Sequence, residues 1–307
     1  MSDRPTSHRI TPMRLPRLRD ELAATIAAAR QDVATTTTHS RDMLKAARHL
    51  TAAELYWVSR DMTRVALDAS EDLPTFTPAA ILPADYGMLI WDGDMPPLPA
   101  TALPRQAWPT GALGVSHVPH APVAGITWSH YGGHLHLRAL MHTTDIHLAD
   151  GPTLNGTLQI GATVAPIPAD QAQDPEDVEG DAAGLVAATV ATWIMMAQPT
   201  VATRKHLPTK NGGSNRGRKK GRGGGWERQG GVGVIELRRL QPATDTSQDE
   251  DPEGCTYTHR WVVRGHWRNQ AHGPARSLRR PTWVPSYVKG PEGAPLLARE
   301  HVHVWRR

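Results

Sequence analysis

Three residues suited to phosphate chemistry, Arg264, His266 and Arg268, recur at every second position of the segment THRWVVRGHWRNQ (258–270). Tyr287 and Lys289 repeat that spacing further along. Cleavage of RNA without a metal needs a base for the 2′-hydroxyl, an acid for the leaving oxygen, and cations for the charge that gathers on phosphorus. His266, Tyr287 and Lys289 are the candidate catalytic residues, with Arg264 and Arg268 supplying positive charge. The competing reading has His266 hydrogen-bonded within a packed ribbon and Tyr287 as a half-buried strand residue, with no catalysis.

The same spacing supports binding alone. In an extended chain alternate side chains share a face. Arg260, Arg264, His266 and Arg268 then fall on one side, with Val262 among them. His259, Trp261, Val263 and Trp267 fall on the other and would pack. The guanidinium fork matches a phosphate bidentately, and Arg276, Arg279 and Arg280 follow closely. The bland alternative is the solvated outer face of an antiparallel sheet.

A second basic stretch, residues 204–230, is Gly-rich and of low complexity. It is expected to be disordered without a ligand and to tether nucleic acid by counterion release, through Arg216, Arg218, Lys219, Lys220 and Arg222. Otherwise it is a charged surface insertion that aids solubility. It holds neither a Walker loop nor a dinucleotide fingerprint, which disfavours a nucleotide-binding fold. Histidines cluster at His117, His120, His130, His134, His136, His142 and His147, with Asp145 nearby. His134 and His136 would point the same way from a strand, as two metal ligands do, but no sharp ligand spacing is present. Neither a metal nor another cofactor is expected.

Net charge is +4, but it is unevenly spread. Residues 201–230 hold nine Lys or Arg against one Glu, and residues 256–307 hold ten against two. Two acidic runs, 170–181 with six carboxylates and 245–253 with five, offset them. Such asymmetry points to nucleic acid, RNA or DNA, or to another anionic surface. The single cysteine, Cys255, allows no internal disulfide and no cysteine-based zinc site. It adjoins an acidic run, which disfavours a reactive thiolate. No apolar run approaches the roughly 18 residues of a membrane span, and no secretory h-region is visible. A soluble, cytoplasmic protein that does not engage membranes is expected.

These residues need elements to hold them. The pattern predicts a helix over about 18–34 and a second helical region over 40–70, broken near Leu50. Thr51 and Glu54 form a capping box, followed by Leu55, Val58, Met62 and Val65 at helical spacing. Together these make an N-terminal helical region, 1–72, which could mediate self-association into a homo-oligomer. Tyr56 and Trp57 read as packing residues. From 73 onward short apolar runs between Pro and Gly read as strands: 86–91, 124–129, 134–140, 157–164 and 232–240. Three more are expected, at 258–270, 281–288 and 300–307. Residues 182–198 are apolar on nearly all sides and read as a buried helix closed by Pro199.

The string Arg264-Gly265-His266-Trp267-Arg268-Asn269-Gln270, followed by Gly273-Pro274, Trp283-Val284-Pro285 and Lys289-Gly290-Pro291, resembles a signature of uncharacterised proteins of actinobacterial plasmids, phages and integrated elements. The blocks LPADYGMLIWDG and AGITWSH resemble a second recurring part of those proteins. The resemblance covers about a third of the chain. It implies a mobile-element setting and carries no activity.

The expectation is an α+β protein with N-terminal helices on a mainly antiparallel, curved sheet. An α+β domain would span 73–307, with the disordered insertion 204–230. Its function would be nucleic-acid binding through the basic C-terminal sheet. The alternatives are a metal-independent, toxin-like endoribonuclease and a protein-interaction regulator.

Overall fold

The computed structural model describes residues 9–28, 38–95, 122–143, 157–164, 166–177, 182–208, 231–238, 260–289 and 291. The expected strand at 300–307, Cys255 and most of the Gly-rich tract lie outside them. The chain divides into two compact units, 1–237 and 238–307.

The first unit is α+β. Its helices are α1 (Leu15–Ala28), α2 (Thr38–Thr51), α3 (Arg60–Ser70), α4 (Pro78–Ile81) and α5 (Ala183–Met196). Its strands are β1 (Glu54–Val58), β2 (Tyr86–Met95), β3 (Val123–Tyr131), β4 (His134–His142), β5 (Leu158–Thr163), β6 (Ile167–Pro168), β7 (Ala202–Pro208) and β8 (Gly231–Leu237). They form one sheet in the order β5-β4-β3-β2-β1-β8-β7, with β6 on β4. The sheet is mainly antiparallel; only β1 runs parallel to its neighbours, β2 and β8.

Two corrections follow. The expected capping box at Thr51 is not used. Thr51 ends α2, its hydroxyl donating to the Arg48 carbonyl at 2.7 Å. Residues 54–58 are a central strand instead, and the cap of the next helix is Ser59, whose Oγ accepts from the Met62 amide. A strand covered on both faces is apolar on both, so Leu55 and Val58 mimicked a helical stripe. The second correction concerns 204–208, which belong to edge strand β7 and not to a disordered tether. An edge strand tolerates charge, and Lys205 pairs with Glu236 across to β8 at 2.5 Å.

Both sheet faces are covered. Leu15, Leu18, Leu22 and Ile26 of α1 join Leu55, Met88, Ile90 and Leu140 in one apolar cluster. The apolar stripe of α1 thus packs on the chain's own sheet. On the other face α5 has twelve buried residues, 185–196. Thr189 and Thr192 are buried there without an unmet hydroxyl, because each donates to the carbonyl four residues earlier at 2.7 Å. Trp128 crosses β2 over Gly87, where an added Cβ would lie 2.0 Å from its ring. Its indole meets Trp193 of α5 at 4.9 Å and Tyr56 at 5.7 Å. Tyr56 is fully buried and its phenol donates to Glu54 at 2.5 Å. Burial first, then the Glu54 contact, holds that phenol well above its ordinary pKa.

The second unit contains β9 (Trp261–Val263), β10 (His266–His272), β11 (Leu278–Val284) and β12 (Tyr287–Lys289). They form two separate antiparallel pairs, β10 with β11 and β12 with β9.

Candidate nucleic-acid interface

The expected single ribbon over 258–270 is two strands. Arg264 and Gly265 interrupt it, so β9 pairs with β12 and β10 with β11. The break has a packing cause. A Cβ at Gly265 would sit 2.5 Å from the Trp283 ring, so only glycine lets the chain turn beneath that indole. Trp283 is the buried residue of the ribbon, 6% exposed, and Trp267 meets it edge-on with ring centroids 5.2 Å apart. Trp267 is half-buried. The side chain of Trp261 and all of His259 lie outside the described residues.

The β10–β11 register fixes which side chains share a face. Arg268 lies opposite Thr282, Gln270 opposite Arg280, and His272 opposite Leu278. With His266 opposite Val284, these make one face. Trp267, Asn269 and Ala271, opposite Trp283, Pro281 and Arg279, make the other. Arg268, Gln270 and Arg280 are exposed on the first face, and Arg279 on the second. Arg276 is exposed in the connecting turn. There Ala275 and Arg276 have φ of 51° and 55°, and the Ser277 amide closes the turn on the Pro274 carbonyl at 3.1 Å. From Arg260 to Lys289 the sequence has seven Lys or Arg and no Asp or Glu. Arg260 and Arg264 lie outside the hairpin, flanking β9, and each is engaged in an interaction of its own.

The proposed catalytic set is divided between the two pairs. His266 opens β10, whereas Tyr287 and Lys289 are on β12, opposite Val263 and Trp261. The His266 ring is exposed, its Nδ1 3.2 Å from the Arg264 carbonyl oxygen. Tyr287 is 45% exposed and Lys289 is exposed too. These side chains project into water. Such a setting stabilises developing charge far less than an enclosed site does.

Of the tether residues, Arg216, Arg218, Lys219, Lys220 and Arg222 lie outside the described residues, as do His117, His120 and His147. Among the described residues, no group of three or more His, Cys, Asp or Glu could hold a metal ion. Among them too, no helix is long and apolar enough to cross a membrane.

Sequence reasoning missed a ring cluster in the first unit, where α2 meets the sheet. His49 stacks on Tyr86 at 4.3 Å and lies 5.0 Å from Tyr131, which stacks on His136 at 4.0 Å. Lys45 caps the Tyr131 ring at 5.4 Å. Arg138 is buried beside them and its Nη1 reaches Ser129 Oγ at 3.4 Å. Burial, then Arg138 and Lys45, hold the His49 imidazole below its ordinary pKa. The parity of His136 and Arg138 on β4 was a readable signal, but their partner His49 comes from a helix far away in sequence.

No family model matches this sequence, and no curated protein does. A solved structure titled "Crystal structure of AcrVA2" is similar to this chain, with a TM-score of 0.40 and 14% identity over 89% of this chain and 85% of that one. So distant a likeness assigns no function.

Proposed function

We propose that this chain is a nucleic-acid-binding protein of a mobile genetic element and that its C-terminal unit grips phosphates. The observation that carries the reading is the β10–β11 hairpin. It exposes Arg268, Arg276, Arg279 and Arg280 within a stretch that has no acidic residue. Arginines held on a paired ribbon are pre-positioned, so less side-chain freedom is lost when each fork meets a phosphate. The mobile-element setting rests on the signature string, which falls on this hairpin and its flanks. Exposure of His266, Tyr287 and Lys289 favours binding over cleavage.

The test is the salt dependence of binding to a labelled random-sequence duplex. Each phosphate contact contributes about 0.9 to the slope of log K against log salt. Replacing Arg276 and Arg279 by Gln should flatten it by about 1.8. An unchanged slope in folded protein, or no binding at low salt, sinks the reading.

A further inference from the structure

The face shared by Arg268, Gln270, Arg280 and Thr282 does more than carry charge. These four residues form two directly opposed cross-strand pairs, Arg268 with Thr282 and Gln270 with Arg280. Arginine can bond guanine O6 and N7 with two donors. Glutamine can match the adenine N6 and N7 edge, and threonine reaches several base edges. The major groove of B-DNA, about 12 Å wide, admits a two-stranded ribbon. Two residues along a strand advance by about 6.8 Å. That equals about two base-pair steps, so Arg268 and Gln270 would address positions two steps apart.

The two ends of the hairpin support this pose. At its base, Trp267 and Trp283 lie on the opposite face, packed edge-on beside Gly265, and make that end of the ribbon's back apolar. At its tip, Arg276 stands in the turn and Arg279 on the rear face, both exposed and placed for flanking phosphates. The bonds that Gln270 and Thr282 make at home are local and long. Gln270 Nε2 donates to the Ala271 carbonyl at 3.4 Å, and Thr282 Oγ1 donates to the Arg280 carbonyl at 3.4 Å. A base edge would replace them at small cost.

The chemistry of this face favours duplex DNA over RNA. A-form RNA has a deep, narrow major groove that side chains cannot read. Single strands are gripped by aromatic platforms, yet both indoles of this hairpin face away from the Arg–Gln surface. We infer that the β10–β11 ribbon enters the major groove of double-stranded DNA and reads base edges with Arg268, Gln270, Arg280 and Thr282. This rests on the phosphate-binding reading above and adds sequence choice to it.

The experiment is selection of duplexes from a pool with a randomised core by the full chain, with binding to single duplexes measured by anisotropy. A short motif should emerge, with a guanine and an adenine among its fixed positions. Gln270→Ala should weaken binding to the selected site by about 5- to 150-fold. It should leave random-sequence affinity and the salt slope unchanged. Arg280→Lys keeps the charge but loses the fork, and should relax one guanine position without altering the slope. Arg276→Gln should weaken selected and random duplexes equally. Salt-dependent binding with no enriched motif overturns groove reading and leaves phosphate binding standing. Stronger binding to RNA than to duplex DNA overturns the choice of partner. Failure to bind any polyanion overturns both readings.

Discussion

Gly265→Ala should loosen the β10–β11 hairpin selectively. The added Cβ would lie 2.5 Å from Trp283 Cζ2 and 3.2 Å from Cε2 and Cη2. Non-bonded carbons settle at about 3.5–4.0 Å, so the indole must retreat by about 1 Å. Trp283 is 6% exposed and rests on Trp267, so that retreat disturbs the one indole pair of the hairpin. Overpacking of this kind costs about 1–3 kcal/mol. If amides of β10 and β11 exchange through opening of the hairpin, they should exchange about 5- to 160-fold faster, since about 1.4 kcal/mol is tenfold. Hydrogen exchange read by mass spectrometry gives this peptide by peptide, with β2, β3 and β4 as internal controls. A smaller residue at the clash, Trp283→Leu in the Gly265→Ala background, should recover part of the loss, and the double-mutant cycle measures the coupling. All basic residues remain in the single variant, so its salt slope for DNA should stay near wild type while base selection weakens. Unaltered exchange in β10 and β11 would refute the packing argument.

Three further outcomes are expected. The unfolded imidazole of His49 titrates near about 6.5, and in the folded chain it titrates lower. Its stabilising contribution is therefore intact above about pH 6.5 and is lost as pH falls toward the folded value. Thermal melting should decline over that window, less so in His49→Gln, and parallel pH profiles for the two proteins would contradict this. Ala275→Gly removes a side chain from a left-handed position with φ of 51°, where L-residues pay about 1–2 kcal/mol. Protection of β10 and β11 should rise after allowing for glycine's own entropy, and a fall would show that the turn is unstrained. Gly87→Ala drives a Cβ to 2.0 Å from the Trp128 ring and should lower the melting temperature of the first unit, by about 1–3 kcal/mol of stability or more.

What could be read from the sequence divides along physical lines. Strands β3 and β4 were legible because their apolar runs are bounded by Gly132 and Gly133, both at positive φ. Helix α5 was legible because a run apolar on all sides has nowhere to go but inside. β1 was not, since a strand buried on both faces loses the period-2 signal and its apolar residues fit any period. β7 was hidden by Arg204, Lys205 and His206, which an edge strand can carry and a central strand cannot. In the candidate interface, the alternation of arginine and tryptophan was legible. The interruption at Gly265 was not, because its cause, Trp283, lies on another strand. Parity does not carry through a break: Arg260, Arg264, His266 and Arg268 alternate in sequence, but β9 pairs with β12 and β10 with β11, so no single ribbon joins them.

The register of the hairpin also bears on its charge. Like charges directly opposed across strands destabilise a sheet. Here no arginine faces another: Arg268 meets Thr282, Arg280 meets Gln270, and Arg279 meets Ala271. A two-residue slip would keep the same residues on each face but set Arg268 against Arg280. The observed pairing avoids that opposition. Spacing reduces repulsion without removing it, since no carboxylate lies between Arg260 and Lys289. A bound polyanion would supply the missing negative charge, and a ligand that binds only the folded form raises its stability by RT ln(1 + [L]/Kd). At one hundred times Kd that is about 2.7 kcal/mol, or about 100-fold slower exchange of β10 and β11 amides that open globally within the unit. The gain should fall as salt is raised, in step with affinity. Protection that is unchanged by saturating duplex DNA would show that the arginines are a solvated face and nothing more.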